Sequence, residues 1–118
     1  MQHEEKKVTL IINELLTILL LNGAEDIDVN IKRKGDTSEI TLIHHQCQYA
    51  ESFIEKMKYN LNTQRQSEVE GYYWQLVGED DSSNQLHLVG AMIDTAEVEM
   101  KQNDLHIFLV RKKQPISE

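Results

Sequence analysis

The sequence predicts an α/β two-layer sandwich of the α+β kind: one mixed, mostly antiparallel sheet of four to five strands with about three helices on one face. Three observations lead there. Apolar residues recur at helical spacing in three separate stretches, two pairs of short segments alternate apolar and polar side chains as hairpins do, and the helical stretches come before and between those hairpins. Elements of this kind hide their apolar stripes by stacking in layers. With 118 residues, 40% of them hydrophobic and 27% charged, the chain can build one core of ordinary globular composition. Residues 1–113 read as a single domain that closes near Arg111-Lys112-Lys113, and residues 114–118 as a C-terminal tail.

The first helix is expected over residues 4–22. Val8, Ile11, Ile12, Leu15, Ile18 and Leu19 are apolar, and Thr9, Asn13 and Thr17 leave only a narrow polar stripe. A helix so apolar is buried on most sides or covered by a partner. Asn22-Gly23 supplies the stop, because glycine accepts the left-handed conformation that ends helices. Ile27, Val29 and Ile31 then alternate with Asp28, Asn30 and Lys32 as in a half-buried strand, and residues 34–37 make a turn. Ile40, Leu42 and His44 continue the inward face of a second strand. Ala50, Phe53, Ile54, Met57 and Leu61 mark an amphipathic helix over residues 48–62. Residues 63–85 are the least regular. A short helix over Leu86–Ile93 follows, in which Gly90 reads as a close-packing position against the sheet. The strands Thr95–Lys101 and Leu105–Arg111, joined through Gln102-Asn103-Asp104, close the domain.

Charge narrows the partners. The net charge is −8, and residues 66–104 account for all of it with nine acidic side chains against Lys101 alone. An acidic half repels phosphate backbones and anionic lipid, so neither nucleic acid nor membrane is an expected partner. Val8–Leu21, the longest apolar stretch, is too short and too polar to span a bilayer. One cysteine, Cys47, allows no internal disulfide, and the chain opens on polar residues rather than an apolar leader. A cytoplasmic location is expected.

Asn13-Glu14-Leu15-Leu16-Thr17 on the first helix, the strand pair Asp28–Lys32 and Glu39–His44, and Leu86–Asp94 with its closing hairpin together resemble the histidine-kinase-like ATPase (Bergerat, or GHKL) superfamily, in particular its small anti-sigma-factor-like members. The resemblance covers nearly the whole chain and implies a two-layer fold with a nucleotide pocket near Glu14, Thr17, His44 and Gly90. The chemistry-bearing positions depart from the pattern. Where the family has a metal-binding asparagine this chain has Ile18, whose alkyl group cannot coordinate magnesium. Where the family has an Asp-x-Gly run, whose carboxylate accepts from adenine, this chain has His44-His45-Gln46. Where a glycine-rich loop should open backbone N–H groups to phosphate, Asn84-Gln85-Leu86-His87-Leu88 has no glycine. The four pocket positions are therefore read as vestigial, and neither ATP nor magnesium is an expected cofactor.

Other constellations are thinner. Adjacent residues on a strand face opposite ways, so His44 and His45 cannot chelate one ion. One of them with Cys47 gives two ligands where zinc wants at least three, and no metal is expected. A Cys47–His45 nucleophile pair has no orienting residue or oxyanion loop, so no catalytic residue is assigned. Tyr72, Tyr73 and Trp74 read either as a protein-binding anchor or as a plug for the vacated pocket. Glu79, Asp80 and Asp81 read as a solvated acidic loop on the partner-facing side.

The resemblance implies a non-catalytic regulatory module of bacterial signalling, paired as a homodimer through its first helix. Its implied partner is a sigma factor, an anti-sigma antagonist or a response regulator. The alternatives are a divergent ATP-binding serine or histidine protein kinase or anti-sigma factor, and a small-ligand or metal sensor built on His44 and His45.

Overall fold

A computed structural model of the chain describes residues 4–63, 65 and 82–113. The described elements run α1 (Glu4–Leu21), β1 (Ile27–Lys34), β2 (Thr37–His44), α2 (Glu51–Leu61), α3 (Ser82–Gly90), β3 (Thr95–Lys101) and β4 (Asp104–Lys112). The four strands form one sheet in the order β1-β2-β4-β3, and every neighbouring pair is antiparallel. The fold is α+β as expected; the sheet, read from the sequence as mixed and mostly antiparallel, is antiparallel throughout among the described residues. α3 starts four residues earlier than the periodicity indicates, so Asn84-Gln85 belong to the helix and not to a loop before it.

The hairpins set the register. Lys34 pairs with Thr37 and Lys101 with Asp104, leaving two-residue turns at Gly35-Asp36 and Gln102-Asn103. Directly paired residues share a face, so Ile40 lies between Ile31 and Leu109, and Leu42 between Val29 and Ile107. Ile40, Leu42, Leu105, Ile107 and Leu109 have no exposed surface. They meet Ile11, Leu15, Ile18 and Leu19 of α1, Met57 and Leu61 of α2, and Leu86 and Val89 of α3 in one core. Gly23 ends α1 at φ +90° by donating to the Leu20 carbonyl, while Ala24 donates to Leu19, as in the glycine stop read from the sequence.

Two residues depart from their expected surroundings. Arg111, read as part of a basic domain end, is fully buried opposite Ser38 on the inward face of β4. Its Nε and Nη2 donate to the two carboxylate oxygens of Glu4 at 2.8 and 3.0 Å, and Nη1 donates to the Met92 carbonyl at 2.6 Å. Gly90, expected against the sheet, instead packs on the end of α2: a Cβ there would stand 2.4 Å from the Asn60 carbonyl oxygen and 2.8 Å from Thr63 Oγ1.

The helix layer does not cover the sheet to its edge. By register Ile27, Val29 and Ile31 belong to the inward face, yet Val29 and Ile31 are 41% and 44% exposed. The half-buried strand expected here is an open one; α1 packs more extensively on β2 and α3 than on β1.

Two stability changes are expected. Gly90→Ala should destabilise the fold by about 1–3 kcal/mol, since backbone rather than a flexible side chain blocks the added methyl; urea denaturation measures it. Burial pushes the Glu4 carboxyl up, but hydrogen bonding and charge from Arg111, with help from Lys7 and Arg65, outweigh it and hold Glu4 below the ordinary 4.5. A depressed carboxylate stabilises the fold above its unfolded value and stops doing so as pH falls through its folded value. Denaturation midpoints should therefore drop as pH falls below about 4.5, with a smaller drop in Glu4→Gln. At neutral pH that variant should lose roughly 3 kcal/mol by leaving a buried guanidinium without its carboxylate.

Candidate functional site

The residues that carry chemistry gather where β2 ends. Consecutive residues of a strand face opposite sides, so His44 points into the helix layer and His45 onto the open face of the sheet. His44 is 4% exposed, and its Nδ1 lies 3.0 Å from the Tyr49 hydroxyl, with the rings edge to face at 5.5 Å. Tyr49 in turn stacks on Phe53 at 4.9 Å. Burial, with His45 adding, holds the His44 imidazole below its ordinary value, and burial pushes the Tyr49 phenol up to about 12. Both groups are neutral at pH 7. A shallow cleft of about 430 Å³, lined by Asn22, Gly23, His44, Tyr49 and Phe53 among others, opens between the end of α1 and the start of α2.

On the other face, His45 Nε2 lies 2.7 Å from Asp28 and Nδ1 lies 3.3 Å from Asp104. The Asp28 hydrogen bond pushes the imidazole above its ordinary value against a desolvation cost, and Asp104 adds to the rise. Asp104 is held low first by the Gln46 N–H, at 3.0 Å, and then by His45. Asp26 joins the group, its ligand atom, with those of Asp28 and His45, forming a trio within 4.8 Å of one another. Three such donors can hold a divalent cation with water completing its shell. Sequence reasoning weighed His44, His45 and Cys47 for this purpose and missed Asp26 and Asp28. Their spacing of two at the start of β1 was the available signal, but the register that sets His45 beside Asp26 was not.

Between these faces the backbone turns sharply. Gln46 takes φ 54°, Cys47 N–H donates to the Asn103 carbonyl, and Gln48 Nε2 donates to Asn103 Oδ1, stitching the segment to the β3–β4 turn. Cys47 Sγ donates to the His44 carbonyl at 3.3 Å, and burial pushes the thiol up. It therefore does not pair with His45 on a common loop face, and a thiol held protonated is a poor nucleophile or ligand.

Of the four positions implied for a pocket, His44 lines the cleft between α1 and α2. Glu14, which could have been a surface residue, is 3% exposed; Thr17 donates to the Asn13 carbonyl at 2.8 Å; Gly90 lies against α2. Ile18 has no exposed surface. Tyr72, Tyr73, Trp74, Glu79, Asp80 and Asp81 lie outside the described residues.

A different surface stands out on the helix side. Among the described residues, four of the five exposed large hydrophobics lie on α1 and β1: Leu20 at 58%, Leu21 at 77%, Val29 and Ile31. Glu5 meets Arg33 at 3.4 Å, which sets the first turn of α1 beside the end of β1 and makes the two run antiparallel. Ile12, Leu16 and Leu20 continue that side of the helix at four-residue intervals. An apolar strip thus follows the groove between helix and edge strand.

No protein-family model matches the chain and no curated protein matches its sequence. Among the described residues, no helix is long and apolar enough to cross a membrane.

Tyr49→Phe should keep the ring stack but remove the partner of a buried imidazole, costing about 0.5–1.5 kcal/mol in chemical denaturation.

Proposed function

We propose that the chain is a non-catalytic regulatory module of the histidine-kinase-like ATPase type that works by binding protein, first of all a second copy of itself. The observation that carries this reading is the α1–β1 groove, where Val29 and Ile31 take core-facing register but stay 41% and 44% exposed, beside Leu20 and Leu21. Contiguous apolar surface of this kind marks interaction sites. α1 cannot pair copies through its whole apolar surface, because Val8, Leu10, Ile11, Ile12, Leu15, Ile18 and Leu19 are buried within the chain. Its half-buried Leu16 and the two exposed leucines remain for that role.

The non-nucleotide part of the reading is supported by what fills the relevant positions. An imidazole bonded to a tyrosine stands where an adenine-binding carboxylate would, and a core isoleucine stands where a magnesium ligand would. Sigma factors, their antagonists and response regulators remain the proposed class of further partner.

Sedimentation velocity should find a dimer in the micromolar range, and Leu20→Asp should weaken it without changing the circular dichroism. A wild-type protein that stays monomeric throughout that range sinks the self-association. Calorimetric titration with Mg-ATP should detect no binding tighter than millimolar, about 4 kcal/mol. Tighter binding would overturn the non-nucleotide reading in favour of a divergent kinase.

A further inference from the structure

We propose that the dimer forms by antiparallel pairing of β1 with β1 of a second copy, in a single register centred on Asn30, joining two four-stranded sheets into one of eight strands. This rests on the protein-binding reading and names its surface.

β1 has eight residues and, among the described residues, is an edge strand with its outer side unpaired. The Asp26 carbonyl accepts from His45 N–H at 2.9 Å, so the backbone of residue 26, and by alternation of 28, 30, 32 and 34, is turned toward β2. The N–H and C=O groups of 27, 29, 31 and 33 consequently face outward along the free edge. Two such edges related by a twofold axis bond through these odd residues, which restricts the register to those in which odd residues oppose odd ones. Charge selects among them. The strand and its approach are acidic at one end, with Asp26 and Asp28, and basic at the other, with Lys32, Arg33 and Lys34. Centring on Asn30 sets Asp28 opposite Lys32 of the second copy and Asp26 opposite Lys34, on the open face of the sheet. On the helix face the same register sets Val29 opposite Ile31, the two half-exposed apolar residues of the strand.

A shift of two residues in pairing either way halves these matches, keeping only Asp26 opposite Lys32 or only Asp28 opposite Lys34. It sets Asp28 opposite Asn30 or Asn30 opposite Lys32. Lysines on an edge ordinarily guard it against pairing. Here the guard is lifted most fully in one arrangement, in which Asp26, Asp28, Lys32 and Lys34 on the open face each meet an opposite charge, and the interface is isologous and closed. A twofold axis perpendicular to the sheet keeps both helix layers on one side. The two α1 helices then flank the joined strands, and Leu16 and Leu20 of each wall the groove over Val29 and Ile31.

Asn30 would oppose its own copy as a non-hydrogen-bonded pair, with Cα atoms about 4.5 Å apart, within disulfide reach. Asn30→Cys in a Cys47→Ser background should therefore cross-link to a dimer under mild oxidation, whereas Glu99→Cys on the opposite edge strand should not. Lys32→Glu should weaken dimerisation roughly ten-fold by setting like charges opposite each other twice, and adding Asp28→Lys should restore most of it. No cross-link at position 30, equal cross-linking at 99, or a charge reversal without rescue overturns the register. Should Asp28→Lys disturb folding through its loss of His45, the cross-linking result alone decides. A wild-type dimer that fails these tests leaves the protein-binding reading standing on another surface. A wild-type monomer removes both.

Discussion

The guanidinium of Arg111 has no exposed surface, and the carboxylate of Glu4 is its counter-charge. Pairing offsets the cost of burying charge, which is several kcal/mol per ion after relaxation. Their pairing ties the first turn of α1 to the last turn's worth of β4, joining residues 107 apart in sequence. The third donor, Nη1, holds the Met92 carbonyl just beyond α3, so one side chain fastens both flanking helices to the central pair of strands. α1 then lies where Ile11, Leu15 and Ile18 reach the core. It packs more extensively on β2 and α3 than on β1.

The open edge follows from that placement. A helix about 10 Å across covers roughly two strands spaced near 4.8 Å, so α1 over β2 and α2 over β3 need not shelter the edge strand β1. Val29 and Ile31 are the bare residues, and Leu20 and Leu21 at the end of α1 are exposed too. The outer face of the sheet carries Glu97, Glu99, Thr41 and Lys32 among half-buried Phe108 and Ile43, a mixture suited to water. The uncovered inward face of β1 is suited to protein. In the proposed reading that difference, rather than any catalytic group, is what the fold contributes to function.

The histidine pair shows how a single step of the chain separates two chemistries. His44 enters a dry environment, bonds a phenol and is held below its ordinary value by burial; His45 lies between two carboxylates and is pushed above its ordinary value by the Asp28 hydrogen bond. One belongs to packing between α1 and α2. The other joins the start of β1, the end of β2 and the β3–β4 turn through Asp28 and Asp104. Alternation alone sets which is which, and that much was legible without coordinates.

Local pattern by itself determined the seven described elements to within a few residues, the glycine stop at Gly23, the hairpin turns and the inward course of Ile40, Leu42 and His44. These depend on neighbours three or four residues away on a helix, or two on a strand, and such spacings are written in the chain. What only the tertiary structure decided depends on residues brought together from afar. Arg111 looked like a surface charge until Glu4 reached it, and Gly90 had a different neighbour from the one its helix suggested. Asp26 and His45 met only through strand register. The β1 stripe alternates as a buried strand does, and periodicity cannot say whether a helix will arrive to cover it. The long-range packing of α1 left it open, and on that face the proposed function depends.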